Sequence, residues 1–130
     1  MAPLRIREAQ LRVLREAAHL HAIESGLLRH FPELCEPMNR ADLGRFVRQS
    51  RARARLFGIQ PPDHQGFASL ELVFGECYWE SREFRWARRI LEDKDIESHA
   101  ERFHTLRDSS IRYLASKAAD EELASEALAL

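Results

Sequence analysis

Apolar residues recur along this chain at three- and four-residue intervals, and Pro and Gly cut the pattern into segments. Such spacing gathers the apolar side chains of each segment into a stripe on one side of an α-helix. From Arg5 to Phe31 the register is kept by Ile6, Ala9, Val13, Ala17, Leu20, Leu27 and Phe31, with Arg and Glu between them, and Pro32 closes the segment. One long helix is predicted, with Gly26 as a place where its last turns can bend. The residues that follow, FPELCEPM, hold two prolines five apart. They leave space for a single turn that carries Leu34 and Cys35 inward.

The most clearly two-faced segment is NRADLGRFVRQSRARARLFGI, Asn39 to Ile59. Asn39 is placed to cap a helix, Asp42 adds the negative charge that a helix N-terminus favours, and Gly58 supplies a left-handed terminator. Leu43, Phe46, Val47, Ala54 and Phe57 share one side, interrupted only by Ser50. Arg40, Arg45, Arg48, Arg51 and Arg55 fan out across the other. The first face is expected to be buried and the second solvated.

After the corner IQPPD, Asp63 is placed to cap a helix from His64 to Phe74 that is apolar nearly all round, which suggests a central position. Gly75 stops it. ECYWES forms a short connection, Ser81 offers a cap, and Phe84, Trp86, Ala87, Ile90 and Leu91 mark the next helix. Asp93 and Asp95 precede a last stripe of Ile96, Ala100, Phe103, Leu106, Ser110, Leu114 and Ala118. The expected architecture is an all-α, single-domain bundle of about five helices with short loops over residues 1–118. Residues 119–130, rich in Ala, Glu and Leu, form a helical or frayed tail in which Leu123, Leu128 and Leu130 lie on the surface or against a partner. Phe46, Val47, Phe57, Phe67, Leu70, Phe74, Trp86, Ile90 and Phe103 are expected in one core.

Composition adds a charge asymmetry. The net charge is −1, yet residues 1–60 hold eleven arginines against six acids, whereas residues 61–130 hold nine basic residues against fifteen acids. The halves should attract, and much of the opposition is satisfied within the chain. Cys35 and Cys77 lie in no CxxC or Cys/His cluster, so reduced, structural thiols are expected. No apolar run is long enough for a signal peptide or a membrane span, and a cytoplasmic protein follows from that reading.

The candidate chemistry is sparse. His19 and His21 point about 200° apart on a helix, and His99 and His104 are five apart, so neither pair suits a helical metal site. The glycines are isolated and build no phosphate loop. Neither cysteine has a base beside it in sequence, and Tyr78, Trp79 and Trp86 are read as core rather than as a ligand pocket. No enzyme activity, metal or cofactor is expected. A binding role remains, with Arg40, Arg45, Arg48, Arg51 and Arg55 as the partner-binding residues. Nucleic acid is an alternative partner because Asn39, Gln49 and Ser50 lie in or beside the basic segment. Against it, Ser50 falls on the apolar side and the chain is slightly acidic, so a protein partner is favoured.

Several segments together resemble a group of small helical bacterial proteins associated with type VI secretion gene clusters. The signposts are IREAQLRVL, LLRHFPELC, RLFGI, Asp63 with Phe67 and Leu70, VFG at 73–75, and WARRILED from Trp86, covering about residues 5–95. They are mostly core and capping positions. The chain departs from the pattern at Pro37 and in its long tail. The resemblance implies a chaperone or adaptor that holds an effector or links it to the spike, with an immunity protein for a secreted toxin as the related alternative. It assigns no catalytic or binding residue.

Overall fold

The computed structural model describes residues 2–129, with side chains from Arg7 onward. Ile6 and Leu130, placed above in the first stripe and in the tail, therefore lie outside the described side chains. Six α-helices follow one another: α1 (Ala2–His30), α2 (Pro32–Cys35), α3 (Arg40–Leu56), α4 (His64–Phe74), α5 (Arg85–Glu92) and α6 (His99–Ala129), and no strand occurs among the described residues. Single 3-10 turns at Pro61–Asp63, Tyr78–Glu80 and Arg82–Phe84 link the later helices. The all-α bundle is as expected.

Punctuation in the sequence sets the helix ends. Asn39 Oδ1 accepts from the Asp42 amide at 2.8 Å, opening α3. At its other end Gly58 adopts φ +76°, and the amides of Gly58 and Ile59 return to the carbonyls of Arg55 and Ala54. That pair of bonds closes the last turn of the helix and needs the left-handed residue that Gly58 provides. Other caps differ from the reading above. Asp63 belongs to a 3-10 turn and its side chain caps nothing, and Ser81 likewise makes no cap bond before the turn that leads into α5. Asp93 accepts from the Asp95 amide instead, and the side chain that accepts near the start of α6 is Ser98, from the Glu101 amide.

The helix α4 lies at the centre, packed against α1, α3 and α6. Its two sides serve two cores rather than the one expected. Phe67 belongs to a cluster with Ala54, Ile59, Tyr78, Trp79, Ala87, Leu91, Phe103 and Leu106, with Phe57, Leu70, Phe74, Trp86 and Ile90 packed at its margin. Ala68 belongs to another, with Ile23, Leu27, Cys35, Leu43, Phe46 and Val47. Phe46 and Val47 are thus separated from the other residues assigned to a common core. The reason is geometric: α3 crosses both clusters, its first half meeting α1 and its end meeting the aromatic turn. In the cluster around Phe67, Trp79 meets Phe57 edge-on at 5.3 Å and Phe67 at 5.6 Å.

Three further expectations change. Cys35 is buried, but Leu34 is exposed, since a four-residue helix can turn only one of two neighbours inward. The α1 stripe is buried at Ile23 and Leu27 and half-buried at Leu20 and Phe31, but Ala9, Val13 and Ala17 are exposed, Val13 by 68%. Likewise α6 is buried at Phe103, Leu106 and Ser110 and then runs on, exposed at Leu114 and Ala118, to Ala129. The tail is helix throughout its described length. The short helices α3 to α5 cover only part of α1 and α6, so both long helices project beyond the body.

Phe67 has no exposed surface, whereas Phe57 and Trp86 are half-buried. Phe67→Ala is therefore expected to cost about 3–5 kcal/mol, with Phe57→Ala and Trp86→Ala costing less. Urea unfolding followed by circular dichroism measures all three, and an equal loss at Trp86 would contradict this ordering.

Candidate functional site

The arginines of α3 do not form one solvated face. Arg40, Arg45 and Arg48 are exposed on its first half, with Arg45 3.4 Å from Asp42. Arg51 and Arg55 instead reach across to Glu16 of α1, at 3.8 and 3.6 Å. The Arg51 side chain is only 10% exposed, so it belongs to the seam between α1 and α3 and not to the open surface. Arg55 remains half-open. Ser50 is fully buried and cannot reach a base edge, while Gln49 is exposed.

Beneath this seam lies a histidine pair that residues 45 positions apart in sequence gave no sign of. His64, almost fully buried at the start of α4, has Nε2 2.7 Å from the Ile59 carbonyl oxygen. A carbonyl can only accept, so Nε2 carries the proton and Nδ1 is left as an acceptor. His19 Nε2 lies 3.2 Å from that Nδ1 and donates to it. The order of donors fixes both tautomers. Burial holds His64 below the usual histidine pKa, and burial followed by the nearby Arg51 and Arg55 does the same for His19. The pair is neutral near pH 7 and fastens α1 to the corner between α3 and α4.

A second buried polar contact uses Arg53, a residue that the two-faced reading of α3 left unassigned. Glu71 interrupts the apolar sequence of α4, and its side chain has no exposed surface. Both carboxylate oxygens accept from Arg53 Nε, at 2.8 and 3.1 Å, and one also accepts from the Cys77 amide at 3.0 Å. Cys77 holds a left-handed conformation, φ 53°, so this bond anchors the turn that delivers Tyr78 and Trp79 to the core. The acid is structural in placement, tying α3 to the end of α4.

A cleft of about 640 Å³ opens where the end of α3 meets the start of α6. Arg55 and Lys94 supply positive charge, Glu92 and Asp93 negative, over a floor that includes Phe57 and Leu91. Arg102 lies in its wall with its guanidinium committed, donating to the carbonyls of Ile90, Leu91 and Ile96 at 3.0, 2.6 and 3.2 Å. That arrangement closes the C-terminal end of α5, whose last carbonyls need donors. The lining carries charge and apolar surface and no hydroxyl or thiol. Cys35 and Cys77 are free, and burial raises the pKa of both thiols, keeping them protonated. Among the described residues no three His, Cys, Asp or Glu side chains gather where they could hold a metal, and no helix is long and apolar enough to cross a membrane.

Comparison with protein-family models, with curated proteins and with solved structures finds no match to this chain.

Two measurements check the polar contacts. Removing one partner of a buried ion pair strands the other, so Glu71→Ala is expected to cost about 3–5 kcal/mol, read as a shift in the urea midpoint. For the histidines the folded pKa lies below the unfolded one, so the unfolded chain takes up protons first. Stability present above the ordinary value of about 6.5 is therefore lost as pH falls from there through the folded value. Melting temperatures of the parent chain should decline over that range more steeply than those of His64→Gln, and parallel profiles would refute the assignment.

Proposed function

We propose that this protein is a non-catalytic adaptor or chaperone that holds another protein, and that the surface doing so is the projecting half of α1 together with the open arginines of α3. One observation carries this reading. The stripe that α1 buries at Leu27 and Ile23 and half-buries at Leu20 continues through Ala17, Val13 and Ala9 without anything to cover it. The Glu16 contacts with Arg51 and Arg55 lie at the edge of the covered part, and every described α1 residue from Arg7 to Ala18 is exposed. Leu11 and Leu14 add apolar surface around the same stretch, and Arg7, Arg12 and Arg15 add positive charge. A stripe with core chemistry and no core is the signature of a helix that completes its packing against a partner.

Arg55 adds positive charge beside that arm, 3.6 Å from Glu16. Arg48, Arg45 and Arg40 carry it on toward the covered end of α1, where Glu24 faces Gly44, which suits a partner presenting acidic residues around an apolar patch. Arg51 supports the face from within, as part of the seam. The resemblance described above supports a secretion effector or a spike component as that partner, met in the cytoplasm before export. Duplex nucleic acid fits less well, because it offers nothing for Val13 and Leu14 to cover.

Co-expression of the tagged chain with spike and effector proteins of a type VI system from the same organism tests the proposal. Capture of one of them at moderate salt is expected. It should be lost in Val13→Glu and in the double variant Arg48→Glu, Arg55→Glu, with melting temperatures close to the parent because all three side chains are exposed. Binding of random duplex DNA at physiological salt with no spike or effector protein captured would overturn it.

A further inference from the structure

The exposed side of α6 carries a pattern that the packing of the body does not use. Phe103, Leu106 and Ser110 face inward. On a neighbouring side, His104, Arg107, Ile111, Leu114, Ala118, Glu121, Ser125 and Leu128 succeed one another at alternating three- and four-residue steps, and all are exposed. That is the spacing of a helix-pairing seam. Ile111 and Leu114, 58% and 43% exposed, stand at the middle of the helix. On one side of Leu114 the seam carries His104 and Arg107, with Asp108 flanking it. On the other it carries Glu121, flanked by Lys117, Glu122 and Glu126. Arg107 and Glu121, opposite in charge, stand at equal distances on either side of Leu114.

We infer that α6 pairs antiparallel with α6 of a second copy of this chain, giving a two-fold dimer whose axis passes near Leu114. Such a helix finds its own complement when reversed: Arg107 of one copy lies along Glu121 of the other, and the apolar centre meets itself. A parallel pair would set Arg107 against Arg107 and Glu121 against Glu121. The chain's own tail cannot take that place, because α6 is one continuous helix of 31 residues, about 46 Å long at 1.5 Å per residue. Its Glu121 is therefore carried away from its Arg107. With the axis at Leu114, Arg107 comes level with Glu121 of the second copy. Arg107 also lies 3.5 Å from Asp108 of its own helix, in an exposed pair that holds it only weakly. Because each copy offers and receives the same surface, the assembly closes at two.

The full chain, of 15.1 kDa, is examined by sedimentation velocity over a range of concentrations and by far-ultraviolet circular dichroism. The parent is expected to sediment at twice its chain mass. Leu114→Glu places like charges together at the axis and should weaken the dimer by more than about tenfold with helix content kept. Arg107→Glu and Glu121→Lys should each do the same alone, while the double variant Arg107→Glu, Glu121→Lys should regain the dimer. Orientation is read by cross-linking: a mixture of Ala100→Cys and Leu128→Cys chains should join through the introduced thiols, whereas Leu128→Cys alone should not. A parent that stays monomeric, a dimer indifferent to Leu114→Glu, failure of the double variant to recover, or self-joining of Leu128→Cys would each overturn the inference. None of these outcomes depends on the α1 face, so the adaptor reading stands or falls separately.

Discussion

A carboxylate with no exposed surface is an expensive thing to fold around, and the body of this protein is built on one. Glu71 leaves water entirely and recovers its hydration only through Arg53 Nε and the Cys77 amide. Such a pair is weak evidence for net stability, since an apolar pair could fill the same space at no greater cost. What it supplies is position. The three hydrogen bonds join the last turns of α3, the end of α4 and the left-handed residue before the aromatic turn. The turn must then enter where Trp79 meets both Phe57 and Phe67. If α3 rotated by one residue, Arg53 would leave the acid, and the acid would be stranded.

The fixed crossing of α3 and α4 determines how much of the longer helices can be covered. With α3 spanning 17 residues, α4 11 and α5 8, against 29 for α1 and 31 for α6, the body is too short to sheathe either end helix. The histidine pair and the Glu16 contacts fasten α1 near the edge of the body, and Arg102 fastens the start of α6 to the end of α5. From Arg7 to Ala18 in α1 and from Leu114 to Ala129 in α6 every residue is exposed. The available binding surfaces follow from this mismatch of lengths more than from any pocket.

Much of this was legible in the sequence wherever a single residue decides the local backbone. Pro32, Asn39, Gly58 and Gly75 fall where helices begin or end, and the apolar helix from His64 to Phe74 is indeed central. What periodicity could not convey is whether a stripe has a neighbour. Val13 and Leu27 obey the same spacing, yet one is open and the other buried, because the spacing records the chemistry of one helix and not the reach of the next. The same limit hid the division into two cores. Arg53 and Glu71 were illegible for another reason: each looks like a lapse in its own helix, and only their meeting makes either intelligible. In the candidate face, Arg40, Arg45 and Arg48 could be placed from sequence, whereas the inward turn of Arg51 depended on Glu16, 35 residues earlier and on a different helix.

The two projecting arms differ in chemistry, and that difference bears on what each can hold. An isolated helical segment shorter than about 15 residues is marginal in water, so an uncovered arm depends on intrinsic propensity or on being covered. The α6 arm has the residues for the first, with Ala, Glu and Leu dominating residues 115–129 and small side chains that permit close helix approach. The α1 arm carries Val13 on its inward stripe and spreads Leu11, Leu14 and several arginines around it. It therefore gains more from a shaped apolar surface with acidic margins than from another smooth helix. Covering either arm also removes its freedom to fray, so binding and helix order reinforce one another at each site. A chain with one arm matched to its own copy and the other matched to a different protein can present two copies of the second arm from one assembly. The effective concentration of such a pair rises without any new contact being made.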